Sequence, residues 1–436
     1  MTGREAALTV LERCRREEAW AGAVLDGLIS DGKLSAREAS LASQLSLGVL
    51  QNDCLLDFYI RSYYSGKLQP KLADILKIGA YQILFMDKIP DRAAVNEGVA
   101  LSKKTGLAHA SGLVNAVLRR FSENKDQLPS IPGEGTAAYL CIRFSHPLWL
   151  VQRLIDQRGY DFTEAFLPCN NKKSPLELQI NTLRCEKADY LRALSRAEIP
   201  FETPAFPENC VSLPGGRVSE LPGYEEGLFY VQDRAAAMAV EIALPLPGMQ
   251  VLDTCAAPGG KSFAAAIRMK NKGLILSRDI HAKKLRRIES GAERLGLTCI
   301  KTGAGDARCD EPALHGAFDL VMTDVPCSGI GVIRKRPEIR NKPEAEIARL
   351  PEIQKEILST ASAYVKPGGT LLYSTCTVLR EENEGVVEAF LSMHPKYKLQ
   401  SFSVGGKDTC SGMYTFWPQI DGTDGFFAAK IKRIEE

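Results

Sequence analysis

The sequence predicts a multidomain protein with an all-α N-terminal domain, a small mixed α/β connector and a C-terminal doubly wound α/β domain. Three observations predict this fold class. The chain has 436 residues, more than one core usually organises. Apolar residues recur at helical spacing over residues 1–128, whereas apolar strands alternate with helical segments after Gly248.

The first domain is expected to span residues 1–128 and to contain five to seven helices. One predicted helix face consists of Ala6, Ala7, Val10, Leu11 and Cys14. Glycines and a proline punctuate the pattern between the predicted helices. The pattern by itself indicates a helical scaffold.

A proline- and glycine-rich stretch, LPSIPGEG, predicts a linker at residues 128–135. The segment 136–235 then predicts a small α/β subdomain. Its elements are a strand at 176–184, a helix at 189–199 and short strands near 210–213 and 228–231. Such a segment could be a connector or could present a sheet face to RNA, and periodicity alone favours the connector.

The third domain, residues 236–436, is predicted to be a parallel sheet with covering helices. Its strands are MQVLDT, GLILSRD, CIKTGAG, FDLVMTD and GTLLYST. Its helices are expected at 262–269, 282–295, 345–365 and 380–394, and GFFAAKIKRI has the pattern of an added edge strand. Ligands of such domains collect at the carboxyl ends of the strands.

Composition indicates an ordinary globular protein, with 45% hydrophobic and 25% charged residues. No apolar run approaches the roughly 20 residues of a membrane span, and the N-terminal residues lack a signal-peptide pattern, so a cytoplasmic location is expected. A net charge of +2 does not by itself require a nucleic-acid partner. Twelve cysteines without a CxxC pair, with five histidines, argue against a metal site.

The stretch DTCAAPGGKS, residues 253–262, links the first predicted strand of this domain to a helix. A P-loop needs GxxxxGK[ST], and Gly260, Lys261 and Ser262 supply only its end, because Cys255 stands where the first glycine belongs. A GxGxxG fingerprint is absent as well. The loop therefore favours a nucleoside-type cofactor without a long phosphate chain.

Two acids follow the next strands. Asp279 lies where a carboxylate reaches ribose hydroxyls in doubly wound folds, and Asp306 is placed to meet a base edge. Each acid alone would more often be a turn residue or a helix cap. Their joint placement at successive strand ends fits S-adenosylmethionine.

Two cysteines, Cys327 in TDVPCSG and Cys376 in STCT, end two further strands. A cysteine at a strand end is usually a buried core residue. Two of them facing one cleft, beside small and hydroxyl residues, instead indicate reactive thiols.

The motifs CAAPGGKS, DVPCSG and STCT, in this order, resemble the RNA cytosine-C5 methyltransferase family over the C-terminal half of the chain. The N-terminal helices resemble the all-α domain of the antitermination factor NusB. The middle segment resembles the family's connecting subdomain, which is related to RNA recognition motifs. The resemblance implies a NusB-like domain, a Rossmann-like methyltransferase domain and formation of 5-methylcytosine in 16S ribosomal RNA.

The resemblance also implies roles for individual residues. It makes Cys376 the nucleophile that adds to cytosine C6 and gives Cys327 a part in product release. Asp324 would hydrogen-bond the N3–N4 edge of the cytosine, and Lys261 would lie near the reacting centre. The implied S-adenosylmethionine pocket consists of Cys255, Ala256, Ala257, Pro258, Gly259, Gly260, Lys261, Asp279, Asp306 and Asp324.

The basic stretch RKRPEIRNK follows the first cysteine motif and predicts phosphate contacts by Arg334, Lys335, Arg336 and Arg340. KKLRR, residues 283–287, is a weaker candidate on a helix face. The expected partner is small-subunit ribosomal RNA, unassembled or partly assembled, with the target base flipped out of its stack. A monomer without metal or membrane association is expected.

The sequence departs from the family pattern at four positions near the cofactor loop and the first cysteine motif. Val325 replaces alanine, Ser262 replaces threonine, and Ser277 and Arg278 replace aliphatic residues. Two alternatives stay open, a transfer RNA cytosine-C5 methyltransferase and a noncatalytic RNA-binding or antitermination-like factor. The intact cysteine pair counts against the second alternative.

Overall fold

A computed structural model describes residues 1–435 of the chain. The chain forms two compact units. The first comprises Met1–Lys172 together with Ile333–Lys342, and the second comprises Lys173–Val332 and the chain from Pro343 onward. The basic stretch after the first cysteine motif therefore belongs to the first unit.

The first unit is helical, as predicted for residues 1–128, but it also includes residues 136–172, which the sequence assigned to the connector. Its α-helices are α1 Gly3–Glu17, α2 Ala21–Ser30, α3 Ala36–Gln51, α4 Asp53–Tyr63, α5 Pro70–Phe85, α6 Asp91–Lys104, α7 Ser111–Asn124, α8 Ala137–Phe144, α9 Leu148–Arg158 and α10 Tyr160–Phe166. The first begins in a capping box, because Glu5 N–H donates to the Thr2 hydroxyl at 3.3 Å and Thr2 N–H donates to the Glu5 carboxylate at 3.0 Å. Its core is formed by apolar side chains such as Leu45, Leu56 and Ile75, all fully buried.

The second unit begins with a small three-stranded antiparallel sheet. Its elements are β1 Leu176–Ile180, α11 Lys187–Arg196, β2 Cys210–Leu213 and β3 Phe229–Val231, with β1 in the middle. The first strand is shorter than predicted, and the other elements fall close to their predicted places.

The rest of the second unit is the doubly wound domain. Its helices are α12 Arg234–Ala243, α13 Gly260–Arg268, α14 Ala282–Leu295, α15 Glu344–Ile347, α16 Leu350–Ala363, α17 Glu384–Met393 and α18 Pro418–Asp421. Its strands are β4 Gln250–Asp253, β5 Leu274–Asp279, β6 Ile300–Ala304, β7 Phe318–Asp324, β8 Val365–Thr375, β9 Tyr397–Leu399, β10 Phe402–Val404, β11 Lys407–Thr409, β12 Met413–Phe416 and β13 Phe426–Arg433.

The main sheet has the order β12-β13-β8-β7-β4-β5-β6, and β9 pairs with β13. Strands β4 to β8 are parallel, so their carboxyl ends share one edge of the sheet. Both faces are covered, and side chains such as Val251, Leu252, Leu320 and Val321 are at most 1% exposed. This buried frame fixes the loops that follow each strand.

Three predicted elements differ in the structure. The predicted helix 345–365 is two helices, α15 and α16. The predicted helix 380–394 begins only at Glu384, because residues 380–383 form a turn. The predicted edge strand is β13, which is not at the edge, since the four-residue strand β12 pairs on its outer side. So short a strand carries too little periodicity to be recognised in the sequence.

Within residues 1–435, no helix combines the length and the apolar character that crossing a membrane requires.

Candidate active site

The predicted cofactor loop, residues 254–259, lies between β4 and α13. Gly259 has φ +114°, in the left-handed region, and a Cβ there would lie 2.6 Å from the Phe263 ring. Helix α13 begins at Gly260 without a side-chain cap. N–H groups of its first turn are therefore available to a ligand at the carboxyl edge of the sheet.

Asp279, at the end of β5, hydrogen-bonds this loop. Its carboxylate accepts hydrogen bonds from Ala257 N–H at 3.3 Å and His281 N–H at 2.9 Å, and the residue is 8% exposed. Asp306 follows β6 and lines a narrow crevice with Thr254. Hydrogen bonds from Arg308 lower the pKa of Asp306, which keeps this carboxylate ionised.

Three of the four departures from the family pattern, Ser262, Ser277 and Arg278, make polar contacts in the structure. Ser262 donates to Asp253 Oδ2 at 2.8 Å and lies 2.7 Å from the Ser277 hydroxyl, all three residues being fully buried. Arg278 pairs with Glu311, and a Cβ at Gly305 would overlap the guanidinium. The two serine hydroxyls therefore hydrogen-bond one another, and Ser262 also hydrogen-bonds the Asp253 carboxylate. Gly305, which has no Cβ, leaves room for the Arg278 guanidinium.

The residues at this edge fit S-adenosylmethionine by the chemistry of their donors and acceptors. The uncapped α13 terminus offers N–H donors, and Asp279 offers a carboxylate at the position typical for ribose hydroxyls. Asp253 Oδ1 is buried and has no hydrogen-bond partner within residues 1–435. Cys255 contributes a neutral thiol, because burial raises its pKa to about 12.

Lys261 and Asp324 form an ion pair between the cofactor loop and the end of β7. Lys261 Nζ lies 2.6 Å from Asp324 Oδ2 and 5.0 Å from the centre of the Phe426 ring. The second carboxylate oxygen accepts a hydrogen bond from the Ser374 hydroxyl at 2.9 Å. The Lys261 side chain is 9% exposed and that of Asp324 is 32% exposed, so the carboxylate is the accessible member of the pair.

The two predicted cysteines meet beside this pair. The parallel register of β7 and β8 places Asp324 opposite Ser374, so the loops that follow bring Cys327 and Cys376 together. Their Sγ atoms are 2.9 Å apart, and Cys376 N–H donates to Cys327 Sγ at 3.2 Å.

The surroundings of Cys327 hold its thiol in the protonated form. The hydrogen bond with Cys376, burial, and the charges of Cys376, Glu382 and Asp324 raise the pKa of Cys327 well above its usual range. Cys327 therefore keeps its proton and can donate a hydrogen bond to the Cys376 sulfur. Only a deprotonated thiol is a strong nucleophile, so Cys327 in this state is a poor nucleophile.

The predicted RNA contacts lie in the first unit. Lys335 and Arg336 are exposed, and the Arg336 guanidinium lies 4.5 Å from the centre of the Trp20 ring. Arg334 is half-buried in the turn before them. Trp20 gave no signal in the sequence, because nothing in the pattern relates it to a segment more than 300 residues away.

Arg340 occupies a different environment from the other three. It is 6% exposed, and its guanidinium donates to the carbonyls of Leu50 and Asn170 at 3.5 and 3.4 Å and to the Asn171 side chain. Burial lowers the pKa of Arg340 to about 9. These contacts give Arg340 a structural role in the helical unit.

Three buried polar residues near the cysteines, Gln354, Glu382 and Asn383, were not identified from the sequence. They hydrogen-bond the loops that carry Cys327 and Cys376. Glu382 and Asn383 lie where periodicity predicts helix. The run of five polar residues at 380–384, REENE, just before an apolar helical segment was the available signal.

No group of three or more His, Cys, Asp or Glu side chains suited to holding a metal ion occurs within residues 1–435.

Comparisons with known proteins cover nearly the whole chain. The family described as 16S rRNA methyltransferase RsmB/F matches residues 241–432, the NusB family matches residues 1–123, and the ferredoxin-like domain of RsmF/B-like methyltransferases matches residues 146–218. A probable ribosomal RNA small subunit methyltransferase B of Bacillus subtilis (strain 168) is 34% identical over 99% of this chain and 98% of its own length.

A second relative and a solved structure agree with this match. The probable ribosomal RNA small subunit methyltransferase B of Synechocystis sp. (strain PCC 6803) is 33% identical over 99% of this chain and 100% of its own. The crystal structure of PH0851 superimposes with a TM-score of 0.83 at 26% identity and covers 99% of both chains.

Fold, site and comparisons together define an S-adenosylmethionine-dependent RNA methyltransferase with an N-terminal NusB domain. The chain belongs to the family of ribosomal RNA small subunit methyltransferase B. The fold class, the family and the class of enzyme predicted from the sequence are thereby confirmed.

Proposed function

We propose that this protein forms 5-methylcytosine in 16S ribosomal RNA, with Cys376 adding covalently to C6 of the target cytosine. The observation that carries the proposal is the pair of sulfurs 2.9 Å apart at the ends of two adjacent strands, one of which keeps its proton. Relatives whose names specify the small ribosomal subunit support the choice of RNA.

In the addition step, Cys376 attacks as the thiolate, its proton having been released to solvent. Its Sγ forms a bond to C6, and the C5=C6 π electrons move to C5, which can then bond the methyl group. Asp324 accepts a hydrogen bond from the exocyclic amine of the cytosine and so orients the ring for attack at C6. Lys261, 2.6 Å from Asp324, holds that carboxylate in place. S-adenosylmethionine, when bound, supplies the methyl group that C5 receives.

In the release step, a base removes the C5 proton and the C–H electrons re-form the C5=C6 bond while the C6–S bond breaks. The departing Cys376 sulfur takes the electron pair of that bond. The Cys327 thiol, 2.9 Å from this sulfur, keeps its proton and can donate a hydrogen bond to the departing thiolate, which assists its departure. This assigns attack to Cys376 and release to Cys327.

The substrate is proposed to be unassembled or partly assembled small-subunit RNA in the cytoplasm, bound by a monomer. Arg334, Lys335 and Arg336 are proposed phosphate contacts. A second proposed contact is the outer face of α14, where Lys283, Arg286 and Arg287 are exposed and have no ion pair within the described part of the chain.

Bisulfite mapping of ribosomal and transfer RNA, with and without the protein, tests the proposed product. The expected result is a protected cytosine in 16S RNA that is absent with Cys376→Ala, while cofactor binding persists. A mark confined to transfer RNA would favour the transfer RNA alternative, and no mark in any RNA would overturn the proposed activity.

Cys327→Ala tests whether Cys376 acts in addition and Cys327 in release. We expect a covalent protein–RNA adduct to accumulate as a slow band on a denaturing gel, because addition proceeds and release is slowed. Cys410→Ala, at an exposed cysteine of the same domain, is the matched control and should behave as wild type. Normal turnover of Cys327→Ala without an adduct would contradict the release role.

A further inference from the structure

The loops that carry the two cysteines share a set of buried polar contacts behind the site. Ser328 N–H, next to Cys327, donates to Glu382 Oε2 at 2.8 Å. The Gln354 amide donates to the same carboxylate oxygen at 2.9 Å and to the Pro326 carbonyl at 3.0 Å. Both residues that flank Cys327 are thus held by the Glu382–Gln354 pair.

The neighbouring residue, Asn383, holds the other cysteine. Its Oδ1 accepts from the Thr375 hydroxyl at 2.5 Å, and its Nδ2 donates to the Thr377 carbonyl at 3.1 Å. Both residues that flank Cys376 are thus held by one amide. The two loops are also joined directly, because the Ser328 hydroxyl donates to the Thr377 hydroxyl at 2.8 Å.

The position of Asn383 in the chain makes this arrangement informative. Asn383 is the N-cap residue of α17, where an asparagine side chain usually accepts from the helix's own N–H groups. No side-chain cap is present on α17, because the Asn383 amide is engaged with the cysteine loop. The helix thus lacks a local stabilising contact, and the amide holds the loop instead.

Glu382 is likewise placed against the usual preference of its side chain. It is 1% exposed, and burial raises its pKa, opposed by hydrogen bonds from Ser328. A buried carboxyl is costly unless hydrogen bonds compensate it. Tyr373 adds a further anchor, since its hydroxyl donates to the Glu382 carbonyl at 2.6 Å.

We propose that Glu382 and Asn383 are a positioning pair, in which Glu382 holds the loop of Cys327, Asn383 holds the loop of Cys376, and their adjacency in the chain sets the approach of the two sulfurs. The inference rests on the proposed covalent function. The two residues support different steps. Glu382 supports release, which depends on Cys327, and Asn383 supports addition, which depends on Cys376.

The test measures turnover and the trapped covalent adduct for variants of the two residues. Glu382→Ala should lower kcat about 10- to 100-fold and accumulate the adduct, because the Cys327 loop loses its anchor. Asn383→Ala should lower kcat by a similar factor without accumulating the adduct, because the attacking sulfur is displaced. The KM for RNA should change less than about threefold in both.

Glu382→Gln is the conservative variant, because its amide oxygen can still accept from Ser328 N–H. It should restore turnover to within about threefold of wild type, which distinguishes hydrogen bonding from charge. Glu388→Ala, on the exposed side of α17, is the matched control and should match wild type. If Glu382→Ala fails to fold, Gln354→Met, which removes the bond to the Pro326 carbonyl, gives the same test.

Wild-type kinetics in Glu382→Ala, or equal losses in both alanine variants without a change in adduct fraction, would overturn the positioning pair. The second result would show a general loss of structure rather than two separate steps. Failure of the proposed function looks different. In that case wild type itself forms no adduct and no methylated cytosine, whatever the residue at position 382.

Discussion

Cys327 and Cys376 have the same side chain but different surroundings. Glu382, Asp324 and the neighbouring sulfur act on Cys327, so the proton stays there. Lys261 pairs with Asp324. At the scale of the residue, the neighbouring charges therefore keep the Cys327 thiol protonated.

Asp253 gives a prediction at the same scale. Burial raises its pKa to about 7, above the value near 4 of an unfolded aspartate. The folded protein binds this proton more tightly than the unfolded chain does. The stabilising contribution is therefore complete below about pH 4 and is lost as the pH rises through about 7.

Asp253→Asn should accordingly stabilise the cofactor-free protein at pH 8.5, by up to about 4 kcal/mol, and should have little effect at low pH. Urea denaturation of both proteins across this pH range measures the difference. Asp319→Asn is the control, because Asp319 has a lowered pKa and should show the opposite sign. A difference between wild type and Asp253→Asn that is constant with pH would contradict the prediction.

At the scale of the element, the parallel pairing of β7 and β8 brings the two cysteine motifs together. Because Asp324 pairs with Ser374, the loops that carry Cys327 and Cys376, 49 residues apart in the sequence, meet at one edge of the sheet. Helix α14 starts at the same edge, three residues after Asp279, and presents cations outward.

The basic elements can be compared by the salt dependence of RNA binding. Replacing Arg334, Lys335 and Arg336 together by alanine should weaken binding and lower the slope of log K against log salt by about 0.7 for each lost contact. The triple variant of Lys283, Arg286 and Arg287 tests α14 in the same way.

Lys366→Ala is the control for these variants, because Lys366 lies at the start of β8, the opposite end of the strand from the site. Its slope should equal that of wild type. An unchanged slope in either triple variant would show that the basic residues replaced in it do not contact RNA phosphates.

At the scale of the whole molecule, the chain leaves the second unit after Val332, contributes Ile333–Lys342 to the helical first unit and returns to the second unit at Pro343. Glu338 accepts from Ala21 N–H at 3.0 Å, at the start of α2, and Arg340 is buried among carbonyls of the same unit. The segment next to the first cysteine motif is thus part of the helical fold.

Arg340→Ala should destabilise the helical unit, because the carbonyl groups lose their donor and a cavity remains. A loss of about 2–4 kcal/mol is expected locally, whereas Arg336→Ala, at an exposed site, should cost less than about 1 kcal/mol. Hydrogen–deuterium exchange of peptides around Leu50 and Asn170 measures the effect. Unchanged protection in Arg340→Ala would show that these contacts do not stabilise the unit.

The sequence alone determined the fold class, and it predicted the cofactor loop and the two cysteines that the structure brings together. Periodicity and loop composition are local properties, and the motifs CAAPGGKS, DVPCSG and STCT are contiguous. The four-residue strand β12 was missed and the start of α17 was misplaced for the same reason. Local patterns are weakest in short elements and at helix ends.

Only the tertiary structure decided which of these residues act on one another. The 2.9 Å approach of the sulfurs, the buried contacts of Glu382 and Asn383 and the placement of Arg340 all join residues far apart in the chain. Burial and neighbouring charge set their protonation and hydrogen bonding. Those quantities exist only once distant segments have packed together.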